Sequence, residues 1–90
     1  MKRYIIERDI PGIGQMSVTE LCGAARASNQ ALSDISGVQW QHSYVANDKT
    51  FCLYLADSED EIRTHSEKSG IPFTSITEVP QIIDPLTANN

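Results

Sequence analysis

The side chains of this sequence best suited to ligating a metal ion or moving a proton are His42, His65, Cys52, Tyr44, Tyr54, Glu7, Asp9 and Glu78. Imidazole, thiolate, phenol and carboxylate donors together suit a divalent transition metal. None of them stands at a CxxC or HxxxH spacing of the zinc-site kind, so spacing alone does not define a site. Each also has an ordinary structural explanation: His42 as a solvated or hydrogen-bonded strand histidine, His65 as a helix-face residue filling a polar gap, Cys52 as a packed thiol and Tyr44 as a core aromatic. Cys52 as a nucleophile, with His65 reaching across from a covering helix, is sterically conceivable. Yet no Gly-rich turn follows Cys52 to bind an oxyanion, and no paired carboxylates are identifiable. The chain is therefore read first as a binding protein, with an enzyme as the weaker reading. Gly12-Ile13-Gly14 lacks both the GxGxxG pattern and a following Lys-Ser/Thr, and is read as a turn with Pro11 rather than a phosphate loop.

The elements that position these groups are legible from pattern. Residues 38–56 hold two runs rich in aromatic and β-branched residues, separated by Asn47-Asp48-Lys49, which predicts a β-hairpin at the centre of a sheet. Lys2 to Arg8 reads as a first strand. Ser17 with Glu20 forms a capping box that opens a helix, whose stripe of Val18, Leu21, Cys22, Ala25, Leu32 and Ile35 turns Cys22 toward the core. Gly37 supplies the exit or turn before the second strand. Ser58 with Glu61 makes a second capping box, and Gly70 with Pro72 closes that helix. Ile62 is its one large aliphatic residue, so His65, three positions on, lies at the inward edge. The acids of the run from Ser58 to Glu61 are matched to the helix dipole rather than read as ligands. Residues 74–84 predict a last strand, which Pro80 confines to an edge or interrupts. Residues 85–90 read as a loose tail.

Strand, helix, strand, strand, helix, strand over this length predicts one α+β domain spanning residues 1–90. It is a ferredoxin-like βαββαβ sandwich: a four-stranded antiparallel sheet with both helices on one face, dimerising through the other. Large side chains on both sheet faces imply a cover for the open face, expected to bear Tyr54, Cys52 and Val45 or Tyr44. The expected partner is a second copy of the chain. A three-residue hairpin loop pairs Tyr44 with Cys52 and His42 with Tyr54; a four-residue loop pairs Val45 with Cys52 and Ser43 with Tyr54. The sequence leaves both registers open.

Composition narrows the partners. The chain is acidic, with a net charge of −5 and a pI near 4.7, and its seven Lys and Arg are scattered among twelve Asp and Glu. Without a basic stripe, nucleic acid is not the expected ligand. No apolar run approaches the roughly 20 residues needed to span a bilayer, and the N-terminus lacks the apolar segment of a signal peptide, so no membrane partner and a cytoplasmic location are expected. Cys22 and Cys52 are accordingly read as free thiols.

Beyond pattern, Asp9-Ile-Pro11-Gly12, Trp40-Gln-His42-Ser43-Tyr44-Val45, Cys52-Leu-Tyr54-Leu-Ala56, Ile62-Arg63-Thr-His65, Gly70-Ile-Pro72 and Ile76-Thr-Glu78-Val79 occur in order along nearly the whole chain. In these the sequence resembles a small bacterial family of formerly unknown function that includes a streptomycete nickel-binding protein. The resemblance implies a ferredoxin-like homodimer that binds nickel or a similar divalent ion. The matching positions with donor atoms are Tyr44, Cys52, His65 and Glu78, followed by His42 and Glu7. His65 with Cys52 or Tyr44 is expected to help form one site per subunit near the sheet. The alternative is a dimeric α/β-barrel-type enzyme or small-molecule binding module, using the space between sheet and helices.

Overall fold

The computed structural model describes residues 1–33, 35–70 and 72–89. Its elements are β1 (Lys2–Asp9), a 3-10 turn (Ile13–Gln15), α1 (Val18–Leu32), β2 (Val38–Val45), β3 (Lys49–Ala56), α2 (Glu59–Ser69), β4 (Ser75–Glu78) and a C-terminal 3-10 turn (Pro85–Asn89). The strands form one sheet in the order β2-β3-β1-β4, with every neighbouring pair antiparallel. This is the ferredoxin-like α+β sandwich that the element order predicts. Among the described residues no helix is long and apolar enough to cross a membrane.

The sheet's two faces are unequal. Tyr4, Ile6 and Arg8 of β1 alternate inward with Thr50, Cys52, Tyr54 and Ala56 of β3, and Ile62 of α2 closes over them. The other face carries Ile5, Phe51, Leu53 and Leu55, which remain half-buried or exposed. The expectation that Tyr54 and Cys52 look outward is therefore corrected: both are buried under the helices, and the bulkier aliphatic set is the one left uncovered.

A single irregularity in β2 governs which of its side chains face where. Tyr44 pairs with Phe51, Ser43 with Cys52 and His42 with Leu53, whereas Trp40 pairs with Tyr54, so Gln41 is an extra residue in the ladder. Because side chains alternate with period two, this bulge inverts the facing of everything beyond it. Val38 and Trp40 point inward before it, and Ser43 points inward after it. His42 and Tyr44 are turned outward as a result. The hairpin itself closes through Ala46 N–H to Lys49 O at 2.8 Å. Only Asn47 and Asp48 lie between those residues, so neither the three- nor the four-residue register applies.

At the start of α1 the capping box is present in both directions: Glu20 N–H donates to Ser17 Oγ and Ser17 N–H to Glu20 Oε1, each at 3.2 Å. The helix face turned toward the sheet is Leu21, Ala25, Ser28, Ala31 and Leu32, at steps of three and four. Cys22 lies about 100° round from Leu21 and is exposed, which corrects its expected inward position. Val18, at the outer end of the helix, is exposed as well. The expected second capping box is also corrected. Ser58 is the N-cap of α2, but its side chain makes no capping bond, and Glu61 Oε2 instead accepts from Asp57 N–H at 3.3 Å.

β4 is shorter than residues 74–84. It pairs only with β1 and ends at Glu78, before Pro80. Residues 85–89, expected to be loose, form a 3-10 turn in which Asp84 Oδ1 accepts from Leu86 N–H at 2.9 Å and Thr87 N–H at 3.1 Å; Asn90 lies outside the described residues. The Gly12–Gly14 segment is a turn, and its amides are engaged by the hairpin loop: Gly12 N–H donates to Asp48 Oδ1 and Gly14 N–H to Asn47 O, both at 2.9 Å.

Candidate functional site

Donor-bearing side chains collect at two places, one on each side of the sheet. On the helix-covered side, alternation along β3 points Tyr54 inward, and the three-residue step from Ile62 along α2 points His65 at it. Tyr54 Oη and His65 Nε2 are 3.0 Å apart, and Ser28 Oγ of α1 approaches the same nitrogen at 3.4 Å. His65 is 1% exposed, and its Nδ1 has no hydrogen-bond partner among the described residues. Burial, helped by the nearby positive charge of Arg8, lowers the His65 pKa from 6.5 to about 4, so the ring is neutral. Burial likewise raises the Tyr54 phenol above its ordinary value, and its hydrogen bond with Ser28 only partly offsets this. A neutral imidazole beside a protonated phenol is a hydrogen-bonded core pair with one unused ring nitrogen.

Arg8 joins this cluster from β1. The residue is 3% exposed, and its Nη1 donates to Pro72 O at 3.0 Å and Ser66 Oγ at 3.3 Å. Cys52, also buried, donates to Thr50 Oγ1 at 3.6 Å. Between these side chains and α1 lies a cavity of about 200 Å³. Arg8, Thr50, Cys52 and Tyr54 form its floor, Trp40 and Ser43 its side, and Leu21, Ala25 and Ser28 its roof. Trp40 is held there by its Nε1–H bond to Ser43 Oγ at 3.0 Å, across the bulge that makes both residues face inward.

On the uncovered side, the bulge sets His42 and Tyr44 next to each other. His42 Nε2 and Tyr44 Oη are 3.2 Å apart with the rings edge to face, and both side chains are exposed. Further along this face, Glu7 is engaged by Lys49 at 3.2 Å and by Ser75 Oγ at 3.0 Å, and the Glu7 carboxylate raises the Lys49 pKa.

The residues singled out from sequence are thus brought together only in part. His42 and Tyr44 form one pair, and His65 and Cys52 share the helix-covered side with a sheet between them and Tyr44. Glu78 stands apart on the edge strand β4, 3.8 Å from Lys2. Among the described residues no three His, Cys, Asp or Glu side chains gather closely enough to hold an ion in one chain. The sequence reading passed over Arg8, Ser28 and Trp40 as site residues. Arg8 carried a signal, since it continues the period-two series Tyr4, Ile6 that faces the core; Ser28 and Trp40 are placed by the helix rotation and by the bulge, which leave no local mark.

Comparison with known proteins agrees with this architecture. The crystal structure of SCO4226 from Streptomyces coelicolor A3(2) superposes with a TM-score of 0.73 at 21% sequence identity, covering 90% of this chain and 99% of that one. At this identity the likeness carries the fold. A search of curated proteins finds no match. The family described as nickel responsive protein SCO4226-like matches residues 4–79, from β1 through β4 and including both histidines. The chain therefore belongs to the SCO4226-like family of nickel responsive proteins.

Proposed function

We propose that this protein binds a divalent metal ion, nickel(II), as a homodimer, with His42 and Tyr44 among the ligands. The observation that carries the reading is the exposed His42–Tyr44 pair, 3.2 Å apart, on a sheet face whose apolar residues have no cover. Two donors are too few for an ion that takes four to six. A second copy packed on the same face, about a twofold axis, would bring its own His42 and Tyr44 and double the donor set. Imidazole and phenolate oxygen are acceptable nickel(II) donors, and water completes such shells. Glu78 lies on the opposite edge of the sheet from β2 within one chain. The exposed apolar residues Phe51 and Tyr44, with the half-buried Ile5, Leu53 and Leu55, supply surface for a twin.

A second reading places the ion inside, at His65 with Cys52. It is favoured by the unpartnered buried Nδ1 of His65, whose low pKa leaves the ring free of proton competition. Calorimetric titration of untagged, chelator-treated protein with nickel(II) separates the two. His42→Ala is expected to weaken binding at least tenfold while His65→Ala and Cys52→Ala leave it unchanged. The reverse pattern assigns the interior. Wild-type protein that takes up no nickel overturns the metal reading, and wild-type affinity in all three variants overturns both ligand assignments.

A further inference from the structure

We propose that the cavity between α1 and the sheet is a binding site for a small uncharged apolar molecule about one ring in size. Of the 15 residues of α1 only Ser28 and Ala31 are buried. Leu21 and Ala25, on the same side of the helix as Ser28, line the cavity and stay half-buried, while Trp40, Cys52 and Tyr54 line it from the sheet. Its volume, about 200 Å³, lies below the roughly 300–1,000 Å³ of pockets for drug-sized ligands and above the roughly 150 Å³ that accepts benzene, so the ligand is small. The hydroxyls in its wall are already matched within the chain. Ser43 Oγ accepts from Trp40 Nε1 at 3.0 Å and Thr50 Oγ1 from Cys52 Sγ at 3.6 Å, and Tyr54 Oη and Ser28 Oγ lie 3.0 and 3.4 Å from His65 Nε2. Arg8 directs Nη1 to Ser66 Oγ and Pro72 O, neither of which lines the cavity, and none of the described lining residues is acidic. A water held in such a space needs two to four polar partners, and an ion would lose its hydration with no group aimed at it. An apolar molecule needs neither, and it removes the facing walls from water. Ala24 and Val45 both line the cavity and are exposed, so it opens to solvent beside them.

This site is independent of the proposed metal site, being on the other side of the sheet from His42 and Tyr44. Trp40 is the only tryptophan and lines the cavity, so its fluorescence reports occupancy. The test titrates chelator-treated protein with toluene and with two charged molecules carrying the same ring, benzylammonium and phenylacetate, followed by Trp40 emission and thermal melts. Toluene is expected to change the emission saturably, with one molecule bound per chain, and to raise the melting temperature; both ions are expected to bind at least tenfold more weakly. Ala25→Phe, which fills the cavity from its roof, is expected to abolish the toluene response. Ala25→Leu, a smaller filler at the same position, is expected to weaken it at least tenfold and serves as the test if the larger ring prevents folding. The wild-type comparison of toluene with the two ions needs no variant. No saturable toluene binding, affinity for either ion equal to that for toluene, or toluene binding undiminished in a folded Ala25→Phe or Ala25→Leu protein overturns the proposal.

Discussion

His65 is a buried base whose environment opposes its charge. Its pKa is about 4 in the folded chain and 6.5 when unfolded. At pH values above 6.5 the ring is neutral in both states and contributes nothing to pH dependence. As pH falls from 6.5 toward 4 the unfolded chain takes up a proton that the folded chain does not, so stability declines across that window and levels off below it. The full loss is about 3 kcal/mol at 1.36 kcal/mol per pKa unit. Urea melts from neutral pH to about pH 4 should show this decline, and His65→Asn should flatten it; a wild-type slope that persists in the variant assigns it to other groups. Tyr54→Phe removes the closer of the two hydroxyls at His65 Nε2, and a destabilisation of about 1–2 kcal/mol is expected in the same melts at neutral pH. The inward placement of His65 was legible, because Ile62 alone defines the apolar face of α2. The unpartnered Nδ1 was not, since it depends on what the other elements fail to bring near it.

At the level of elements, the fold relies on two close backbone approaches made by glycines. A side chain at Gly14 would put its Cβ 2.7 Å from Ala46 O and Asn47 Cα, where the 3-10 turn packs on the hairpin loop. Gly37 has φ of +82° and would put a Cβ 2.6 Å from Glu61 Oε2, beside the start of α2. Gly14→Ala meets rigid backbone, while Gly37→Ala meets mobile carboxylates but adds left-handed strain. Each is expected to cost about 1–3 kcal/mol in thermal or urea unfolding, with Gly14→Ala the larger. Ser17→Ala, which removes the capping box of α1, should cost about 1 kcal/mol. That capping box was readable because its partners are three residues apart. The identical spacing at Ser58 and Glu61 misled, because Gly37 O and Glu61 Oε2 both accept from Asp57 N–H and hold the chain in a different entry geometry. The bulge at Gln41 had no readable cause either, and by inverting β2 it decides that His42 and Tyr44 face outward while Trp40 and Ser43 share the cavity.

For the whole molecule, exposed surface is the informative quantity. A folded 10.0 kDa protein is expected to expose about 5,200 Å², and this chain exposes 5975 Å². Its radius of gyration, 14.0 Å, likewise exceeds the roughly 12 Å typical of this length. Residues 80–89, all of them exposed and running on past β4, contribute to both, and the proposed homodimer is tested on the Ile5, Phe51, Leu53 and Leu55 face. Leu53→Glu, at the middle of that face, should convert a dimer to a monomer in light scattering at micromolar concentration. Wild-type protein that already runs as a monomer would remove the dimer proposal. The sequence by itself determined the element order, the antiparallel sandwich and the presence of apolar residues on both sheet faces, because strand alternation, capping and turn chemistry act over a few residues. Only the tertiary structure decided which β3 set lies under the helices, how α1 is rotated and where the bulge falls. Those choices minimise packing and hydrogen-bonding free energy among residues far apart in the chain, and they divide His42 and Tyr44 from His65 and Cys52 by the thickness of the sheet.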